Sequence, residues 1–350
     1  MSKKSSQRFA GYPRLNPPGI GKNIPDQPED SRTRRQGGGM RTPAMPRRAF
    51  LQTAALAATA LAAGACQTFA EGSSRPIGCF NRPWMQKFGS KVQPPDTPQP
   101  ANWGFDVALK GIKQAGYKMA GLLTPMPDEP FIGPQARGEY LTSLKRRIAD
   151  AGLLVNMGAL HVKPELPLEE AIRDIRRQVD HAQFLNLEWL LTFGVDQREH
   201  YEKYYRMMAD AADYAEEAKV KLVIKPHGGG SGASEEIRRC LGRVNRPNFK
   251  VWYDAGNILH YTGKDPVEEL KPIVQYVTGF CAKDCTGEKG DVMIQFGAGR
   301  VDFIAVFREL KKAGFNGPTY VECAGGQTFA EVTDGARANR LFLEKVFAVI

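Results

Sequence analysis

Cysteine is sparse, and its spacing does not pair: Cys66, Cys79, Cys240, Cys281, Cys285 and Cys323 include no CxxC. That excludes a zinc knuckle and a disulfide framework. Several of these residues lie in apolar strands, where the usual reading is a small buried hydrophobe. No G-x-G-x-x-G follows an early strand and no Walker-type loop is visible, so the dinucleotide and P-loop signatures are missing. Histidine is scarce too, five residues in 350. Basic charge is also thin where it would matter. The chain carries +10, but eleven Lys or Arg against Asp26, Glu29 and Asp30 put +8 in residues 1–48, leaving +2 for the rest. The folded part therefore advertises no nucleic-acid surface.

What is present begins with a leader. Arg47-Arg48-Ala49-Phe50-Leu51 precedes an uncharged, Ala-rich run that ends Ala63-Gly64-Ala65. A charged region, a short apolar region and an Ala-x-Ala end make an export signal rather than a membrane span. The paired arginines followed by Phe-Leu resemble a twin-arginine signal, which implies a periplasmic or cell-envelope location. Cys66, directly after the small residues, also resembles a lipoprotein box, although Ala63 stands where leucine is usual. The expected organisation is disorder or an upstream extension over 1–39, the signal over 40–65, a linker over 66–74 and one domain over 75–350.

Within that domain, short apolar runs alternate with helical patterns. Strands are expected at Pro76 to Phe80, Tyr117 to Leu123, Leu153 to His161, Leu187 to Gly194, Lys221 to Ile224, Phe249 to Asn257 (strand with its loop), Val277 to Asp284 and Pro318 to Gly326. Helices follow them, with Gly116, Gly152 and Gly314 as stop signals and Ser234 as the cap of the helix after the fifth strand. Eight strand–helix units at this length are the arithmetic of a (β/α)8 TIM barrel; the alternative is an open doubly wound sheet. The fifth unit is the most informative. In KLVIKPHGGG (Lys221 to Gly230), Pro226 stops a buried strand, and three glycines then let the chain turn. A cation and an imidazole thus stand at the carboxyl end of a strand, where parallel α/β folds bind ligands.

Other strand ends repeat the arrangement. Arg82 and Trp84 follow strand one, His161 strand three, Lys225 and His227 strand five, and Asp254 and Asn257 strand six. Lys283 and Asp284 follow strand seven and Glu322 strand eight. Taken singly, each has a structural reading: a rim ion pair for Lys283 with Asp284, a hydrogen-bonded His161, a core-capping Trp84. An aromatic face beside Arg82 also suits a sugar ring. His181 and His200 fall on helices and are expected to be solvated.

These residues, with the KPHGG turn, YDAGN and nearby His260, AKD, GAGRVDF (Gly297 to Phe303) and VEC, resemble the xylose isomerase-like family of sugar phosphate isomerases and epimerases. The resemblance covers most of Pro76 to Phe347. It implies a TIM barrel that moves a proton beside a carbonyl, and a divalent metal (Mn, Co, Zn or Mg) held by Glu, Asp, His and Glu from strands five to eight. The candidate substrate contacts are Arg82, Trp84, His161, Asn257 and Arg300. The carry-over is incomplete: Asp254 and Glu322 match, but Lys225 stands at the strand-five glutamate, Cys281 at the strand-seven histidine, and Asn257 at the histidine of DxxH.

Two repairs remain open. His227, Asp254 and Glu322 could form a three-ligand metal site. Alternatively, Lys225 and Lys283 could supply the positive charge. Under either, Glu322 is the first choice for proton transfer and His227 the second, with Lys225 and Lys283 the other catalytic candidates. The expected function is a sugar isomerase or epimerase acting on an unphosphorylated sugar or keto-sugar. The alternatives are a carbohydrate-binding barrel without catalysis and a sugar lyase or dehydratase on the same fold. A metal-dependent endonuclease would need more His and carboxylate ligands and a more basic surface.

Overall fold

The computed structural model describes residues 76–85, 104–124 and 129–350. The expected signal, linker and Cys66 anchor lie outside the described residues. Eight parallel strands close into a barrel in sequence order: β1 Ile77–Phe80, β2 Met119–Leu122, β3 Leu154–Ala159, β4 Trp189–Thr192, β5 Lys221–Ile224, β6 Phe249–Tyr253, β7 Val277–Ala282 and β8 Thr319–Val321. β8 pairs with β1 through Ile77 and Thr319, which closes the ring and rules out the open sheet. Among the described residues no helix is long and apolar enough to cross a membrane.

The outer helices bury one apolar face each against the strands, the amphipathic arrangement that a barrel's outer ring requires. The barrel interior is filled by Phe80, Met119, Met157, Trp189, Leu191, Val223, Trp252, Cys281 and Tyr320. Large rings fit there because the facing strand positions are glycines. A Cβ on Gly279 would lie 2.2 Å from Trp252, and one on Gly78 would lie 2.4 Å from Tyr320. Tyr320 also donates its hydroxyl to Asn156, so the aromatic plug is hydrogen-bonded as well as packed. The floor of the site is therefore rigid.

Two local expectations are corrected. The helix after β5 spans Ser234–Val244 with Ala233, not Ser234, at the cap position. The Ala233 N–H donates to Glu236, and the Ser234 N–H to the Glu269 carboxylate at 2.7 Å. After β6 the chain does not loop through Asn257; it turns at once into the helix Ala255–Thr262. Asp254 caps that helix, its Oδ1 accepting from Asn257 N–H at 2.8 Å. The cap fixes the Asp254 carboxylate and leaves its other oxygen aimed at the barrel axis.

Candidate active site

Side chains alternate across a strand, so residues two past an inward-facing position face inward again. Val223, Trp252, Cys281 and Tyr320 plug the barrel. Lys225, Asp254, Lys283 and Glu322 stand two residues beyond them, and all four are at most 2% exposed. By the same step Phe80 leads to Arg82, Ala159 to His161 and Leu191 to Phe193. The carboxyl ends of the strands thus hold one layer of charge on one layer of aromatic packing.

Glu322 is the hub. Its Oε1 accepts from Arg82 Nη1 at 2.5 Å and Lys283 Nζ at 2.9 Å. Its Oε2 accepts from Lys225 Nζ and from the Cys281 thiol, the latter at 2.7 Å. Asp254 Oδ2 faces both ammonium groups, 3.1 Å from Lys225 and 3.3 Å from Lys283. Lys283 also donates to Asn257 Oδ1 at 2.7 Å, and Asn257 in turn donates to the Pro226 carbonyl at 2.6 Å. Burial opposes ionisation of Glu322, but Lys225, Lys283, Arg82 and the Cys281 bond hold its pKa well below the usual carboxylate range. Burial likewise opposes the charge on Lys225; Cys281, Glu322 and Asp254 overcome it and raise the lysine's pKa. Both lysines are therefore ammonium ions, and Glu322 is a carboxylate with four donors.

His227 stands at the edge of this layer. Its ring lies between Phe193 and Tyr261, with centroids 5.0 and 4.9 Å away, and its Nε2 is 3.1 Å from Tyr261 Oη. Burial, then Lys225 and Lys283, push its pKa down to about 4, so the imidazole is neutral at pH 7. His161 is half-buried and its pKa is lowered by burial and by Lys163.

The other sequence candidates are placed elsewhere. Trp84, expected as a sugar platform, is fully buried in the outer core, where its Nε1 donates to Thr333 Oγ1 at 3.1 Å. The helix Arg82–Met85 turns it away from Arg82. Arg300 is exposed, and its backbone N–H is bound to the Cys285 carbonyl at 2.8 Å. Asp284 is not the ion partner of Lys283. Its carboxylate accepts backbone N–H bonds from Cys285, Gly297, Gly299 and Val301, pinning the loop before the helix Phe303–Lys312. His181 is not simply solvated; its Nδ1 meets the Ile132 carbonyl at 3.0 Å. His260 binds the Gly290 carbonyl at 3.0 Å.

Two contributors escaped the sequence reading. Phe193 was available from the alternation after Leu191. Tyr261 was available from helical spacing, one turn past Asn257 on the capped helix.

A metal can be tested against this donor set. Asp254, Cys281 and Glu322 each offer a ligand atom, all within 4.8 Å of one another, and His227 is not in the group. The Lys225 ammonium, however, contacts all three of these residues. Arg82, Lys225 and Lys283 already outnumber Asp254 and Glu322 by one positive charge. A divalent ion would add two more charges in a low-dielectric interior and would compete with Lys225 for its acceptors. The residues present do not fit a divalent ion.

Fold and site together define a parallel (β/α)8 barrel with a charged layer at the carboxyl ends of its strands. The family model for xylose isomerase-like TIM barrels matches residues 109–346, and the chain belongs to that family. Relatives include the L-ribulose-5-phosphate 3-epimerase UlaE of Salmonella heidelberg, 24% identical over 229 residues, or 60% of this chain and 78% of the relative. The Escherichia coli enzyme of that name is 23% identical over 233 residues, 61% of this chain and 80% of the relative. Among solved structures, a D-allulose 3-epimerase from Methylomonas sp. is similar at a TM-score of 0.58, with 15% identity, covering 78% of this chain and 99% of that one. A xylose isomerase-like TIM barrel protein from Mycobacterium smegmatis, in complex with magnesium, is similar at 0.62, with 14% identity, covering 79% and 97%. These structural likenesses concern the fold.

Proposed function

We propose that this barrel is an isomerase-class enzyme, an epimerase or isomerase acting on an unphosphorylated sugar or keto-sugar by proton transfer beside a carbonyl. The observation that carries the reading is the buried Lys225–Lys283 pair between Asp254 and Glu322. The relatives' names support the sugar class; the ion cluster supports the chemistry. Fixed ammonium groups in a dry site stabilise the negative charge that develops on a carbonyl oxygen when its neighbouring carbon loses a proton. In this reading the lysines supply the positive charge that a divalent ion supplies in a metal-dependent site.

The geometry supports one base assignment over the other. Glu322, with four donors and a depressed pKa, is a weak base. Its role is to hold three cations in place. His227, neutral at pH 7 and paired with Tyr261, is the group that moves the proton. The leader motif supports export to the periplasm or cell envelope, and the substrate is then one that reaches that compartment.

Solvent exchange tests the reading. The protein is incubated in D2O with a panel of aldoses and ketoses, and deuterium at the carbon next to the carbonyl is followed by NMR. Exchange that disappears in both Lys283→Met and His227→Gln is expected. No exchange with any sugar, alongside measurable binding, would instead favour a carbohydrate-binding barrel, which the engagement of both lysines by Glu322 also suits. Loss of water rather than exchange would indicate a lyase.

A further inference from the structure

Arg82 is the charge that the ion network leaves over. Lys225 and Lys283 match Asp254 and Glu322 ion for ion, and each ammonium is surrounded by three polar atoms, with Asp254 Oδ2 as an ion-pair contact of both rather than a hydrogen-bond acceptor. For Lys225 these are Glu322, Asp254 at 3.1 Å and Cys281 Sγ at 3.8 Å. For Lys283 they are Asn257 at 2.7 Å, Glu322 at 2.9 Å and Asp254 at 3.3 Å. Arg82 is the fifth charged group. One of its nitrogens donates to Glu322. A guanidinium has further N–H donors, and among the described residues nothing else accepts from them. Its side chain is 32% exposed, whereas the Glu322 it touches is 1% exposed. The excess positive charge and the unused donors coincide at the mouth of the site.

We propose that Arg82 docks a carboxylate of the substrate, so that the site takes a sugar acid rather than a neutral sugar. This rests on the reading of the strand-end layer as a sugar site. A carboxylate is planar, and its two oxygens match the guanidinium fork. It brings one negative charge to a cluster with one positive charge in excess. A phosphate ester brings between one and two at pH 7 and overshoots. A neutral sugar leaves the excess charge partly buried and uncompensated. Arg82 follows β1 and His227 follows β5, on opposite sides of an eight-strand ring. The acid end is therefore held on the β1 side while the reacting carbons extend toward His227 and Tyr261.

Calorimetric titration of the full-length protein tests this with three sets of probes: D-galacturonate, D-gluconate and 2-keto-D-gluconate; D-galactose and D-fructose; and D-ribulose 5-phosphate. The acids are expected to bind at least roughly tenfold tighter than the neutral sugars, about 1.4 kcal/mol, and more weakly as KCl is raised. Arg82→Gln is expected to erase that preference and Arg82→Lys to keep part of it, with both melting cooperatively. Equal affinity for neutral sugars, tighter binding of the phosphate, no binding of any acid, or an unchanged preference in Arg82→Gln would each overturn the proposal. The enzymatic reading fails separately. An acid that binds through Arg82 but exchanges no proton keeps the docking site and removes the reaction. Exchange on neutral ketoses with an unchanged KM in Arg82→Gln keeps the reaction and removes the docking site.

Discussion

Lys225 joins two buried carboxylates that would otherwise repel each other across the barrel axis. With both its partners and itself withdrawn from water, replacing it leaves uncompensated charge, which typically costs about 3–5 kcal/mol. Lys225→Met should therefore lose stability of that size in urea unfolding. Lys225→Met with Asp254→Asn should lose less than the sum of the single changes, because the two share one interaction; strict additivity would mean that the pair is not coupled. The network's pH window follows from its shifts. Glu322, lowered below 4.5, stabilises fully above about that pH and loses its contribution as pH falls through its folded value. Lys225 and Lys283, raised above 10.5, stabilise fully below about that pH and lose it as pH rises through theirs. His227 behaves differently. Its pKa falls from 6.5 to about 4 on folding, so stability is lost as pH drops between those values, on the order of 3 kcal/mol at most. His227→Gln should flatten that part of the stability–pH curve; an unchanged slope would place the titration elsewhere. Lys225, Asp254, Lys283 and Glu322 were legible in the sequence because strand alternation carries them into one layer. The Arg82–Glu322 contact was not, since it joins residues 240 positions apart through closure of the ring.

At the scale of elements, the helix Ala255–Thr262 and the loop 285–300 set the geometry around the charges. Asp254 is both helix cap and ion partner, so the helix start and the active layer are one feature. Asp284 anchors the loop through backbone N–H groups of Cys285, Gly297, Gly299 and Val301. Asp284→Ala leaves those donors without their acceptor and should cost about 3 kcal/mol, given that hydrogen bonds to charged groups contribute roughly 1.5–3 kcal/mol each and water replaces some of them. Limited proteolysis should then cut first between 285 and 300; wild-type resistance there would show that the loop is held by other contacts. The strands and most helices were readable because apolar alternation and glycine stops are local signals. Helix Gly138–Ala151 ends where the glycine stop places it, with Gly152 in the left-handed conformation. The short helix after β6 was not readable, because YDAGN carries turn residues and the cap that makes it helical is a single carboxylate. Trp84 was misplaced for a related reason: the four-residue helix Arg82–Met85 rotates it into the outer core.

For the whole molecule, the fold brings residues from β1, β5, β6, β7 and β8 to one end of a sealed barrel and leaves the basic excess of the chain in residues 1–48. In the proposed reaction this site works through fixed ammonium groups. The direct measurement is solvent deuterium exchange on a responsive sugar substrate after exhaustive dialysis of the protein against a chelator, with its metal content determined on the same sample. Undiminished exchange at negligible metal content is expected, with no increase on adding Mn, Co, Zn or Mg and loss in Lys283→Met. Exchange that vanishes on chelation and returns with one of these ions would instead make the site metal-dependent.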